Sequence, residues 1–350
     1  MNINALVRPE VRDLVPYKAE EQQCPIKMDA NENPYPLPKP VRERIAAALS
    51  AIPLNHYPDP SAAKLKALIA QRIGVDTGQV ALGNGSDELI QMILMAFGGS
   101  DVCAVYPVPT FSMYGIIAKS MGMPVCEVPL DDKFDIVPDQ FPTKGVLLLS
   151  WPNNPTGNCF SQERMEELIA KFEGIVVVDE AYYDFSRKTF LPKLAEMENL
   201  IILRTLSKIG LAGLRVGMLV ANPSVVREIE KVRLPYNINS YSQVAASEVL
   251  SDPGVIDAQI NLIVEERENL YYRLRGLRSG ITTYPSDANF VLIRVKDAAK
   301  VHQGLITDEG ILVRNLSRPG PLENCLRITV GMQDDNHGFL VAISRLTRML

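Results

Sequence analysis

The sequence is poor in the side chains that most often mark metal or disulfide chemistry. Its three histidines, His56, His302 and His337, lie far apart without ligand spacing, which argues against a zinc hydrolase and leaves no metal site expected. The five cysteines, Cys24, Cys103, Cys126, Cys159 and Cys325, are odd in number and contain no C-x-x-C pair. Cys103 and Cys126 fall inside apolar, strand-like runs, where a thiol reads as a small buried hydrophobe. A reduced, cytoplasmic protein is expected. No apolar run approaches the roughly 20 residues needed to cross a bilayer. The opening Met1-Asn2-Ile3-Asn4-Ala5 turns polar with no basic patch ahead of an apolar core, so no signal peptide is expected. Long basic runs are missing too, and the net charge is −5, which argues against nucleic acid or an anionic membrane as the main partner.

What is present is ordinary globular material, 47% apolar and 22% charged over 350 residues. That length predicts two lobes rather than one core. Between about residues 79 and 220, apolar runs of strand length alternate with helix-period segments. The predicted strands are Asp101–Val108, Met123–Leu130, Gly145–Trp151, Gly174–Asp179, Leu200–Thr205 and Val216–Ala221, with one more around Val80. Runs such as Val146-Leu147-Leu148-Leu149 and Ile175-Val176-Val177-Val178 are apolar without alternation. That implies burial on both faces, as in a mostly parallel sheet flanked by helices. Ser251-Asp252-Pro253-Gly254 is a strong breaker. A long helical pattern and three short strands follow it, at Asn289–Val295, Ile311–Asn315 and Leu326–Val330. The expected organisation is an N-terminal arm and Pro-rich connector over 1–40, a large α/β domain over 41–250 and a smaller α+β domain over 251–350.

In an open α/β sheet, ligands bind beyond the carboxyl ends of the strands, so the polar residues following each apolar run are the informative ones. After Val80 comes Gly83-Asn84-Gly85-Ser86-Asp87-Glu88 and a helix. Free N–H groups at such a helix start suit a phosphate, although Ser86 or Asp87 also reads as a plain N-cap. Trp151-Pro152-Asn153-Asn154-Pro155-Thr156-Gly157, alone, would be a rigid surface turn. Asp179-Glu180-Ala181-Tyr182 places a carboxylate at a strand mouth, and Thr205-Leu206-Ser207-Lys208 is followed by Arg215. In this order, each at a strand end, they supply a lysine, a carboxylate, a phosphate cradle and several amides and hydroxyls. That set fits pyridoxal 5'-phosphate. Lys208 would form the Schiff base. Asp179 would pair with the pyridine nitrogen, and Asn154 and Tyr182 would hydrogen-bond the ring oxygen. Ser86, Asp87, Ser207 and Arg215 would hold the phosphate, and Phe111 would stack on the ring unless it is simply core.

With these residues in place, the chain resembles the fold-type I pyridoxal-phosphate enzymes over nearly its whole length. Asn153-Asn154-Pro155-Thr156-Gly157, Asp179-Glu180-Ala181-Tyr182, Ser207-Lys208 and Leu214-Arg215 carry the general likeness. Asn31-Glu32-Asn33-Pro34, Asn55-His56-Tyr57-Pro58-Asp59-Pro60, Gly85-Ser86-Asp87-Glu88 and Leu326-Arg327-Ile328-Thr329-Val330-Gly331 are similar to the histidinol-phosphate aminotransferases within that group. The chain departs from most relatives in a Lys208–Arg215 loop one residue shorter, and in Phe111 where many carry tyrosine.

The resemblance implies a homodimer with shared active sites, in which Tyr57 reaches the cofactor phosphate of the neighbouring subunit. It implies that Arg327, Arg314 and Tyr17 bind the acidic group of a phosphorylated amino donor, with Asn31 also among the substrate contacts. Two arginines on adjacent strands suit a phosphate dianion better than one carboxylate, although Arg314 could instead form a surface salt bridge. The reaction implied is transamination of L-histidinol phosphate with 2-oxoglutarate, giving imidazole-acetol phosphate and L-glutamate. The same scaffold hosts other outcomes: an aromatic-amino-acid aminotransferase, a threonine-phosphate decarboxylase, or a non-catalytic cofactor-binding regulator, the last disfavoured by the presence of Lys208, Asp179 and Tyr182.

Overall fold

The structure, a computed structural model, describes residues 2–12, 14–16, 22–277 and 280–348. Its frame is two sheets. The larger has seven strands in the order β2-β8-β7-β6-β5-β3-β4, formed by β2 (Val80–Asn84), β3 (Ala104–Val108), β4 (Val125–Pro129), β5 (Lys144–Ser150), β6 (Glu173–Asp179), β7 (Leu200–Thr205) and β8 (Val216–Ala221). The continuous apolar runs are buried on both faces as expected. Val146, Leu148, Val177, Ile201 and Leu203 pack into one core layer, while Leu147, Leu149, Val176, Val178 and Ile202 pack into the layer on the other side. Strands β3 to β7 pair in parallel. β8 runs antiparallel to both β7 and β2. An apolar run buried on both faces looks the same in either direction, so only the pairing reveals this reversal. Its effect is local: β8 enters the sheet at the edge where its parallel neighbours end, so Arg215, immediately before it, lies with their C-terminal residues.

The second sheet has five strands in the order β1-β11-β12-β10-β9. These are β9 (Thr282–Thr283), β10 (Phe290–Arg294), β11 (Ile311–Asn315) and β12 (Cys325–Thr329), joined by β1 (Ile26–Met28) from the N-terminal segment. The sequence predicts only three strands here, with 26–28 in the N-terminal arm. Three residues, Ile-Lys-Met, are too few to show a period, and it is the parallel pairing with β11 that makes them a strand. The Gly254–Gly276 helix runs between the two sheets, with Ile256, Ile260, Ile263, Leu270 and Leu274 in their shared core. The last helix spans Gln333–Arg348.

Candidate active site

A cavity of about 520 Å³ opens where the C-terminal edge of the large sheet faces the second sheet. Ser86, Asp87, Phe111, Asn154, Asp179, Tyr182, Ser207, Lys208 and Arg215 line it from the first side, and Asn31, Arg314 and Arg327 from the second. Tyr57 lies elsewhere, 79% exposed and stacked on Tyr236 with ring centroids 4.5 Å apart. Tyr17 falls outside the described residues.

The phosphate-sized end is built by close backbone approach. β2 turns into the Gly85–Phe97 helix at Gly85, whose N–H donates to Arg215 O at 2.7 Å. Gly85 has φ +79°, and a Cβ there would lie 2.5 Å from Arg215 Nη2. The helix start leaves N–H groups unpaired for an anion. Arg215 Nη2 lies 3.1 Å from Asp87 Oδ2, which aims its guanidinium along the same turn. The Ser207 N–H and the Thr205 hydroxyl fix each other, with Thr205 Oγ1 accepting from Ser207 N at 3.1 Å and donating to Ser207 Oγ at 2.9 Å.

Asp179 ends β6 almost fully buried. Burial pushes its pKa up to about 6, while the Tyr114 hydroxyl, donating at 2.7 Å, and the Ala181 N–H pull it down. Asp87 raises it further and Lys208 lowers it. A carboxylate held this way is poorly matched to its surroundings until a cation comes beside it, which is the partner a protonated ring nitrogen provides. Glu180, next in the chain, faces the other way and forms a buried ion pair with Arg204 at 2.8 Å. One of the adjacent carboxylates therefore serves the cavity and the other the scaffold. Tyr114 was missed in the sequence. The only signal was a tyrosine on a helix face that is otherwise apolar, since a buried phenol needs a partner.

Lys208 follows β7 in a short 3-10 turn, its Nζ 5.8 Å from the centroid of the Tyr182 ring. The Tyr182 hydroxyl accepts from Asn31 Nδ2 at 2.9 Å. Asn31 sits at φ 55° and gives its remaining polar groups to the second sheet, through Thr329 and Asn289. Both ends of its amide are thus engaged within the protein. Asn154 Oδ1 accepts from Arg327 Nη1 at 2.7 Å, which leaves the Asn154 amide hydrogens to donate into the cavity. Asn153 is buried beside it and braces the Phe111 loop through Pro109 O and the Thr110 hydroxyl. Phe111 meets Tyr114 edge-on at 5.5 Å.

At the opposite end Arg314 and Arg327 are register partners on β11 and β12, and Arg327 Nη2 donates to Asp29 O at 2.7 Å. Arg318, on the loop after β11, also lines the cavity. It went unnoticed because nothing distinguishes one exposed loop arginine from another. A cradle for one phosphate, a buried acid, a lysine and a ring-sized wall thus face a second, arginine-lined anion site. The set fits pyridoxal phosphate at the large sheet, and it defines a site for joining a phosphorylated aromatic cofactor to an acidic substrate.

Comparison with known proteins agrees with this geometry. Residues 24–343 match the family described as aminotransferase class I and II, and the chain belongs to that family. Histidinol-phosphate aminotransferase 2 of Nitrosococcus oceani is 43% identical over 348 residues, covering 96% of each chain. The histidinol-phosphate aminotransferase of Aquifex aeolicus is 40% identical over 356 residues, covering 99% of each. Among solved structures, histidinol-phosphate aminotransferase from Sinorhizobium meliloti, in complex with pyridoxal 5'-phosphate, superposes with a TM-score of 0.87 at 23% identity, covering 98% of both chains, and so shares the fold.

Proposed function

We propose that this chain is a pyridoxal-phosphate-dependent aminotransferase that converts L-histidinol phosphate and 2-oxoglutarate into imidazole-acetol phosphate and L-glutamate, acting in the cytoplasm as a homodimer. The observation that carries the donor assignment is the Arg314–Arg327 pair on adjacent strands, facing Lys208 and Asp179 across one cavity. The two relatives named above, similar over nearly the full chain, favour the same reading. Among the described residues no helix is long and apolar enough to cross a membrane.

When bound, pyridoxal phosphate supplies an electron-withdrawing ring that stabilises negative charge at the donor's Cα. The rest is done by side chains of this chain. Asp179 holds a proton on the ring nitrogen, and Tyr114 fixes the carboxylate for that task. Asn154 and Tyr182 hydrogen-bond the ring oxygen, Ser86, Ser207 and Arg215 bind the phosphate, and Phe111 covers a ring face. Lys208 Nζ takes the proton from the donor's Cα as general base. Arg314 and Arg327 grip the donor phosphate, and Arg327 serves the carboxylate of 2-oxoglutarate. Tyr57, exposed and stacked on Tyr236, supports a subunit contact in which it reaches the partner's cofactor phosphate.

The test is a set of half-reactions on cofactor-loaded protein, followed by the cofactor absorption band. Histidinol phosphate should convert the band faster than phenylalanine. Conversion by phenylalanine alone would make the chain an aromatic-amino-acid aminotransferase, and carbon dioxide released from O-phosphothreonine would make it a decarboxylase. Borohydride reduction with peptide mapping should label Lys208. Sedimentation should give a dimer.

A further inference from the structure

Asp29 is a carboxylate without a visible task. It follows β1, is 8% exposed and lines the active-site cavity. Its main-chain oxygen accepts from Arg327 Nη2, but its side-chain Oδ1 is buried with no hydrogen-bond partner among the described residues. Buried polar atoms are almost always satisfied, so an exception calls for an explanation. Asp29 lines the cavity, so the edge of its carboxylate that borders that space is where a ligand's donor can come.

Sheet register says what stands beside it. Met28 pairs with Val313, and Arg314 with Arg327. Asp29, one step beyond Met28, therefore comes level with Arg314, and the three residues form a row across β1, β11 and β12. All three line the same cavity. With strands about 4.8 Å apart, the Cα atoms of Asp29 and Arg327 are about 10 Å apart. The row offers two positive charges and, at one end, one negative charge. A ligand that matches it carries a dianion at one end and an N–H donor at the other.

We propose that Asp29 selects the amino donor by accepting a hydrogen bond from the ring N–H of its nitrogen heterocycle. The assignment rests on the reading of the donor as histidinol phosphate. In that molecule the phosphate and the imidazole leave the reacting carbon on separate short arms. Arg314 and Arg327 take the first, and Asp29 takes the second. A phenyl ring in place of imidazole fills the same space but leaves Asp29 buried and unpaired, and rejection of such an analogue is strong because the site's own polar group then loses its partner.

The experiment compares L-histidinol phosphate with L-phenylalaninol phosphate, which keeps the amine and phosphate and lacks the ring N–H. Both are run on wild type, Asp29→Asn and Asp29→Leu, with kcat and KM separated. Wild type should prefer histidinol phosphate. Asp29→Leu should lower that preference about 10- to 100-fold, the range for losing a hydrogen bond to a charged group, through the histidinol phosphate arm alone. Asp29→Asn, which keeps one acceptor, should fall between. Because Asp29 Oδ1 has no hydrogen-bond partner among the described residues, both variants should melt at or above the wild-type Tm. Equal losses on both donors, or a lowered Tm with an unchanged donor ratio, would overturn the assignment and make Asp29 a structural residue. Wild-type turnover of phenylalaninol phosphate without histidinol phosphate would instead overturn the donor reading, and the Asp29 assignment with it.

Discussion

Replacing Asp179 by asparagine should make the cofactor-free protein more stable at neutral pH and leave it unchanged in acid. Asp179 is buried, and its pKa stands at about 6 against an ordinary value of 3.8. The folded chain therefore binds this proton more tightly than the unfolded chain does. Its favourable contribution is complete below pH 3.8 and is lost as pH rises through about 6. The difference of about two units corresponds to about 3 kcal/mol of folding stability missing at pH 8. The asparagine would have no charge to desolvate and would keep its one oxygen for the Tyr114 hydroxyl, which donates to the native carboxylate at 2.7 Å, while giving up the bond from the Ala181 N–H, a smaller loss of about 1 kcal/mol. Urea unfolding of both proteins, stripped of pyridoxal phosphate and measured from pH 4.5 to 8, should give curves that diverge upward in pH, with the asparagine form the more stable. Adding pyridoxal phosphate should reverse the order, because only the carboxylate gains a cationic partner. Stability differences that are flat with pH, or an asparagine form weaker at pH 8, would refute this account of the buried acid.

Tyr114→Phe should act in the opposite sense: losing the 2.7 Å bond to Asp179 should raise the Asp179 pKa further and weaken the cofactor-free protein by about 1–3 kcal/mol above pH 6, read by the same unfolding curves. Gly85→Ala places a side chain at φ +79° and 2.5 Å from Arg215 Nη2; the guanidinium must move, and equilibrium dialysis should show pyridoxal phosphate bound about tenfold or more weakly, from about 1–2 kcal/mol of backbone strain and a displaced anchor. Glu180→Gln leaves Arg204 buried without its carboxylate and should cost about 3–5 kcal/mol in urea unfolding, far more than its distance from the chemistry would suggest. Arg314→Ala should raise KM for a phosphorylated donor about 10- to 100-fold and change KM for glutamate much less; equal effects would make Arg314 structural.

Most of the large sheet and its rim could be read from the chain because parallel strands advertise themselves. A run such as Val146–Leu149 is apolar at every position only when both faces are covered, and the polar residue that ends it then lies at the ligand-binding edge. Asn154, Asp179 and Lys208 can each be placed at that edge by this rule, and all three line the cavity. What stayed hidden depended on pairing or on single buried contacts. The direction of β8 leaves no trace in its composition, yet it is what carries Arg215 to the rim. β1 is too short to have a period. Tyr114 and Asp29 each matter through one atom whose partner lies far away in sequence, and a lone tyrosine or aspartate gives no sign of that.

The strand borrowed from the N-terminal segment has a consequence for handling the protein. β1 covers the flank of β11, whose Ile311, Leu312 and Val313 are all buried. Without it, an apolar strand would present a row of open N–H and C=O groups, the template along which separate chains stick together. Removing Ile26–Met28 should turn a soluble preparation into one that aggregates on concentration.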